Sequence, residues 1–387
     1  MAKQPKILLI IETSRIYGRK LLRGIAQYAL LNGPWQIERQ APFYLQHSQA
    51  VGDFSLKYAS GVDGIIMREQ KNIEPLIETG VPIVFASYLA EDFHVPMIRT
   101  DDQGIASTAA KYYLGRAFEH FAFVGYDGMF WSDNRKAAFA EHVAQAGFSC
   151  NLYSQPKLKK QRLWENELPV LSDWLKGLPK PVGLLACNDD RAQQVLSACM
   201  HSGLTVPEEV AIVGVDNDEF VCTLAHPPLS SVSLSAAIAG FEAASVLDRM
   251  IGGEKIGNLT IPVQASHVVT RQSSDILAIR DPVLAQSVNF IRSNIKEPIQ
   301  IGDVLESVPV SRRCLYDKFK QILGLSVHQY IKKKRIEHIE HLLLDTDMTV
   351  SQIAFHMGFT SDDHIATYFR SVNGVNPHAF RVTRRAT

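Results

Sequence analysis

Between Thr349 and Arg381 the chain reads TVSQIAFHMGFTSDDHIATYFRSVNGVNPHAFR. Val350, Ile353, Ala354 and Met357 stand at i, i+3, i+4 and i+7, the spacing that lines one face of a helix with apolar side chains. Gly358 follows where a glycine ends a helix. Thr360 or Ser361 offers an N-cap oxygen to a second helix, in which Ile365, Tyr368, Phe369 and Val372 repeat the spacing. Two short amphipathic helices joined by a tight glycine turn make a helix-turn-helix, whose second helix is free to enter a DNA major groove. On geometry alone the competing reading is an ordinary helical hairpin.

The wording is narrower than that geometry needs. IAxxxGFxS, then YF, a Gly, a Pro and FR resembles the AraC/XylS family of transcription regulators. Domains of that family hold two such units, so an earlier copy is expected. Ile301, Val304, Leu305 and Val308 supply its first apolar face, and Pro309 and Val310 its turn. Ser311 stands at an N-cap position, Leu315, Phe319 and Ile322 mark the inner face of the next helix, and Gly324 ends it. A helix from Val327 to about Leu344 joins the units. It turns Ile336, Ile339 and Leu343 inward and Lys332, Lys333, Lys334 and Arg335 largely outward. That basic run is either a solvated face or a phosphate contact.

Base contacts are expected from the outer faces of the two recognition helices. Spacing exposes Arg312, Arg313, Tyr316 and Lys320 in the first, and Asp362, Asp363, His364 and Thr367 in the second. With the cap residues Ser311 and Ser361 these form the candidate DNA-contacting set. By the resemblance, the positions of Arg313 and Tyr316 carry base contacts, while Asp317 stands where family members often have a basic residue. Asp362 and Asp363 suit the positive end of a helix but repel phosphate, so the first unit is expected to dominate affinity.

The remainder must fold differently. With 387 residues, 46% apolar and 21% charged, the chain can form two or three cores. Its formal net charge is zero, yet residues 281–387 hold 14 Lys+Arg against 11 Asp+Glu, a local +3. No run of about 18 apolar residues reads as a membrane span. The opening MAKQPKILLIIE has a basic start, but its apolar run is too short for a signal peptide's core and Glu12 cuts it off, so a cytoplasmic location is expected. The five cysteines form no CxxC and no His/Cys cluster, so reduced thiols, no metal and no cofactor are expected.

Residues 6–275 alternate apolar runs (Ile7–Ile11, Gly64–Met67, Ile83–Ala86, Phe121–Gly125, Val182–Ala186, Ala211–Val215) with amphipathic stretches (Leu22, Ile25 and Ala29; Ile73–Thr79, Ile105–Leu114, Arg135–Gln145, Trp164–Leu175, Ala192–His201, Ala237–Met250). This means an α/β domain of parallel sheets, and its length means two lobes. The fold class is thus an α/β two-lobed domain followed by an all-α domain with two helix-turn-helix units.

Parallel sheets bind ligands beyond the carboxyl ends of their strands. The polar residues there include Tyr17 and Arg19 after the first strand, Arg68, Ser87 and Tyr88, Trp131 and Arg135 after FAFVG, Asn188 and Asp189 after VGLLA, and Asp216 and Asn217 after AIVGV. Carboxylates and amides grip adjacent hydroxyls, arginine donates a fork, and an indole covers a sugar's C–H face. Each also has a plainer reading: Asp216 and Asn217 as turn caps, Trp131 as core, and Arg135 as an exposed helix start.

CNDDRA, then GVDND, then HPPLSSV (His226–Val232) resembles the effector domain of LacI-type repressors, which shares the two-lobed fold of periplasmic sugar-binding proteins. The resemblance implies that Asn188, Asp216 and Arg135 face a sugar, and Asp101 matches the family's central aspartate segment. A LacI-type effector domain ahead of an AraC-type reader resembles a family of pentose-operon activators over nearly the whole chain. That implies D-xylose or a related pentose as effector, double-stranded DNA and RNA polymerase as partners, and a homodimer. Another sugar derivative, or repression instead of activation, fits the same architecture. A sugar-processing enzyme with a DNA-binding appendage is the reading from another class, but no catalytic motif stands out. The expected boundaries are 1–275 for the sensor, 276–282 for a linker and 283–387 for the reader, with Asp281-Pro282 starting a helix.

Overall fold

The computed structural model describes residues 4–39, 61–68, 74–86, 93–278, 281–346 and 348–386; Ser87 and Tyr88 lie outside them. Packing divides the chain after Asp275, with Tyr113–Glu119 grouped with the C-terminal unit.

In the first unit the chain forms β1 (Lys6–Ile10), α1 (Ile16–Asn32), β2 (Gln36–Arg39), β3 (Gly64–Met67), α2 (Glu74–Glu78), β4 (Ile83–Ala86), β5 (Met97–Thr100) and α3 (Asp102–Leu114). It continues through β6 (His120–Val124), α4 (Phe130–Gln145), β7 (Cys150–Leu152), α5 (Trp164–Lys176), β8 (Val182–Ala186), α6 (Asp189–Ser202) and β9 (Val210–Asp216). Last come α7 (Glu219–Leu224), β10 (Ser230–Leu234), α8 (Ala236–Ile251), β11 (Thr260–Val263) and β12 (Ala265–Val269).

The strands form two six-stranded sheets, ordered β11-β5-β4-β3-β1-β2 and β12-β10-β9-β8-β6-β7. Pairing is parallel throughout except between β10 and β12. The chain passes from one sheet to the other after β5, after β10 and after β11, so two lobes share one set of crossings. The central strands are apolar at every position because helices cover both faces: all of Val182–Ala186 and Gly64–Met67 is buried.

α1 packs on α8 with unusual closeness. A Cβ on Gly24 would stand 1.8 Å from the Ala237 carbonyl oxygen, and one on Gly240 would stand 2.1 Å from that of Leu21. Two glycines let the backbones touch where any side chain would part them. The buried face of α1 runs through Leu21, Ile25 and Tyr28, one residue out of phase with the expected Leu22 and Ala29. Further helices start earlier than periodicity alone sets them: α3 at Asp102, α4 at Phe130 and α6 at Asp189. Trp131 and Arg135 therefore share one helix.

The second unit holds α9 (Pro282–Ser293), α10 (Ile301–Glu306), α11 (Arg312–Leu323), α12 (Val327–Asp345), α13 (Val350–His356), α14 (Asp362–Asn373) and α15 (Pro377–Ala386). Asp281 caps α9, its carboxylate accepting from Leu284 N at 2.9 Å, with Pro282 in the first turn. Gly324, Gly358 and Gly374 sit at φ of 68°, 69° and 72°, the left-handed conformation that lets a helix stop short. Ser311 and Ser361, not Thr360, cap the second helix of each pair. One core gathers Leu284, Val304, Leu315, Phe319 and Val327; the other gathers Ile339, Ile353, Met357, Ile365 and Phe369. α12 gives its first half to one and its second half to the other.

Four residue placements are corrected here. Ile322 and Val372 are exposed, because the last turn of each recognition helix overhangs its core. Lys334 is largely covered and Arg335 is only 6% exposed. Arg335 donates to the carbonyls of Ile295, at 3.1 Å, Glu297 and Met357, at 2.5 Å, so it points into the domain and ties two distant segments to α12.

Replacing Gly24 with alanine should cost at least the upper end of the roughly 1–3 kcal/mol typical of overpacking, since backbone cannot move aside as a side chain does. Urea unfolding of Gly24→Ala should show a markedly lower midpoint; an unchanged midpoint would mean the helices do not meet here.

Candidate effector cleft and nucleic-acid interface

The cleft is built at the carboxyl ends of β8 and β9. Asn188 caps α6, its Oδ1 accepting from Arg191 N at 2.9 Å, and its side-chain NH2 has no hydrogen-bond partner among the described residues. Asp189, next along, is 3% exposed. Its Oδ1 accepts from Ser231 Oγ at 2.5 Å and its Oδ2 from Asp218 N at 2.7 Å. Burial, then the nearby Asp216 charge, pushes its pKa well above the usual carboxylate range. Both oxygens of Asp189 are engaged within the protein, so its role in this geometry is to hold the loop after β9.

That loop carries the unusual backbone. Asp216 and Asn217 have φ of 105° and 51°, a conformation that costs about 1–3 kcal/mol per non-glycine residue and persists only where neighbours impose it. The neighbours are present. Asn217 N donates to Ser231 Oγ at 3.0 Å, and Arg271 donates to Asn217 Oδ1 at 2.9 Å. Asn217 is thereby held inside the loop, while the half-buried Asp216 carboxylate accepts no hydrogen bond from the described residues. Burial pushes its pKa up to about 6, against the opposing charges of Arg135 and Lys20.

Arg135 is 3% exposed and sits between these groups. Its Nε donates to Asp102 Oδ1 at 2.9 Å and its Nη1 to the Cys187 carbonyl at 2.6 Å, beside Asn188. Burial opposes its charge, but Asp102 and Asp216 outweigh it, so its pKa lies above the ordinary arginine value. Its guanidinium lies 5.1 Å from the centroid of the half-buried Trp131 ring. Asp216, Asn188, Arg135 and Trp131 thus converge, offering a charged acceptor, an amide donor, a guanidinium and an aromatic surface. This set can grip neighbouring hydroxyl groups.

The first-lobe candidates are placed differently. Arg19 donates to the carbonyls of Thr13, at 3.0 Å, and Ser14, at 2.8 Å, and to Asp218 Oδ2 at 3.0 Å. Its guanidinium braces the loop before α1 against the other lobe. Tyr17 lies half-buried in the first turn of α1, and Arg68 is exposed just after β3.

Three residues outside the expected set matter. Asp218 Oδ2 also accepts from Ile16 N at 3.0 Å, so one carboxylate meets the start of α1 across the cleft. Arg15 reaches Asp190 across the same gap at 2.5 Å. Lys20 lies 3.4 Å from the Asp216 carbonyl, its pKa lowered chiefly by burial. Of the adjacent pair in the central segment, Asp102 binds Arg135 while Asp101 accepts from Gly104 N at 2.9 Å. Sequence alone does not separate two neighbouring aspartates; the start of α3 does.

On the reader, Arg312 and Arg313 are exposed in the first turn of α11, and Tyr316 packs partly on the core. Lys320 is exposed one turn later and approaches the Gly324 carbonyl at 3.5 Å. In α14, Asp362 is bonded to Ser351, Asp363 is exposed, and His364 approaches Thr360 Oγ1 at 3.3 Å. Among the described residues no cluster is placed to hold a metal ion, and no helix is long and apolar enough to cross a membrane.

The chain matches two family models: a periplasmic binding protein-like domain over residues 110–274 and a helix-turn-helix domain over residues 305–383. It is 30% identical to the xylose operon regulatory protein of Haemophilus influenzae, covering 97% of this chain and 98% of that protein. It is 28% identical to the protein of the same name from Escherichia coli K12, covering 98% and 97%. A solved xylose-binding transcription activator superposes with a TM-score of 0.61 at 26% identity, covering 99% of each chain.

The raised pKa of Asp216 has a sign that can be measured. The folded chain holds this proton more tightly than the unfolded one, whose carboxylate titrates near about 4. Its share of stability is therefore present at low pH and is lost as pH rises through about 6. Asp216→Asn should remove that component from the pH profile of unfolding; an identical profile would place Asp216 in open solvent.

Proposed function

The chain belongs to the family of xylose operon regulatory proteins, transcription regulators that join a periplasmic-binding-protein-like domain to a helix-turn-helix reader, and from that premise we propose that its effector is D-xylose. The sugar would be held by Asp216, Asn188, Arg135 and Trp131, and its binding would activate sugar catabolic genes. The observation that carries this is the convergence of those side chains at strand ends of one sheet, in a chain that also holds two helix-turn-helix units.

The mechanism follows from the two lobes. A pentose between them adds hydrogen bonds that only the closed arrangement completes, and it shifts the population by its differential affinity for the two states. In a homodimer that shift changes how two readers meet double-stranded DNA, and recruitment of RNA polymerase follows. The action is cytoplasmic and non-catalytic. A related pentose or sugar derivative as effector, or repression at some promoters, uses the same geometry.

Calorimetric titration of the full chain should give saturable heat with D-xylose, and Asp216→Ala should abolish it. Affinity should rise as pH rises through about 6, where Asp216 loses its proton and becomes a full acceptor. No heat with D-xylose but heat with another pentose would reassign the effector. Product formed from D-xylose or from another pentose would sink the non-enzyme reading.

Arg313→Ala should lose about 1–3 kcal/mol of binding to the cognate site, the cost of one good base contact. A titrated gel shift with unchanged affinity would remove Arg313 from the interface.

A further inference from the structure

A groove of about 430 Å³ lies between the two helix-turn-helix units, along the first half of α12. His328 and Lys332 of α12 and His364 of α14 line it, with Phe359 and Tyr368 as an aromatic wall. No carboxylate is among its lining residues. Arg335 is also in the lining, where it donates to the carbonyls of Ile295, Glu297 and Met357 and meets the Tyr368 hydroxyl. Lys332 stands 5.8 Å from the centroid of Tyr368, which holds its ammonium at the groove. The nearest acids of α14 are occupied or turned elsewhere: Asp362 is bonded to Ser351, and Asp363 is exposed outside the lining.

We propose that this groove receives the DNA sugar-phosphate backbone between the two major-groove segments read by α11 and α14, with Lys332 and His328 as the phosphate contacts. The inference rests on the reading of the second unit as a DNA reader. Two recognition helices on one face of a duplex enter successive major-groove segments, roughly one turn apart, and the backbone between them must cross the space between the units. The groove occupies that space, carries only cationic and neutral side chains, and has His364 of the second recognition helix at its edge. Contacts of this kind fix register and add affinity but carry no base information.

The test is fluorescence anisotropy of the full chain on a labelled mixed-sequence duplex, repeated over a range of salt. Each phosphate contact contributes about 0.9 to the slope of log affinity against log salt. Lys332→Gln should reduce the slope by about that amount, His328→Gln should weaken binding in the same direction, and Lys332→Arg should keep the wild-type slope. Affinity should fall equally on mixed-sequence DNA and on any preferred sequence, unlike Arg313→Ala, which should change the preference. Wild-type slopes in both glutamine variants, with the wild type binding normally, would overturn the groove alone. A wild type that binds no duplex at any salt would overturn the DNA reading and the groove together. Equal slopes for Lys332→Arg and Lys332→Gln, both reduced, would show a packing effect and also overturn it.

Discussion

The carboxylate of Asp189 is the interaction on which the effector cleft depends. It is buried at the head of α6 and accepts from Ser231 on β10 and from the backbone of Asp218 after β9. Gly214 makes room for it, since a Cβ there would lie 2.3 Å from Asp189 Oδ1. A buried carboxylate is costly unless hydrogen bonds surround it. Once surrounded, it fixes what surrounds it. Here that is the turn in which Asp216 and Asn217 take positive φ, and the turn directs one acid toward Arg135 while the next, Asp218, reaches the start of α1. The placement of Asp216 beside Arg135 and the cross-lobe tie are thus two products of one anchor.

Much of this was legible in the sequence, for physical reasons that can be named. A strand covered on both faces must be apolar at every position, so Val182–Ala186 and Gly64–Met67 declare themselves. A short helix ended by glycine and restarted by a serine cap leaves a spacing that few other structures share, so both helix-turn-helix units could be read. Asn188, Arg135 and Asp216 follow from their positions after strands and from resemblance, and the structure brings them together.

What could not be read has equally physical causes. Residue type does not say which polar atom is already engaged: Asp189 and Arg19 stand where ligand groups are expected, yet the Asp189 oxygens accept, and the Arg19 nitrogens donate, within the protein. Resemblance points to Asp101, but the phase of α3 at its start puts Asp102 against Arg135 and leaves Asp101 on the Gly104 amide. A basic run looks solvated wherever it occurs, and nothing in KKKR marks Arg335 as the member turned inward. That choice is made by carbonyl groups at distant chain ends, which periodicity does not see. Lys20, Asp218 and Arg15 act across the cleft, and such pairings depend on tertiary closeness alone.

The inward turn of Arg335 makes α12 a ruler. Because one guanidinium holds carbonyls from the segment after α9 and from the turn after α13, both recognition helices are fastened to a common rod whose length cannot adjust. A duplex whose two contacted segments do not match that length must bend or change its twist to fit, and the energy of doing so depends on base steps lying between them. For a reader of this build, two operators with identical contacted bases would differ in the energy needed to fit them.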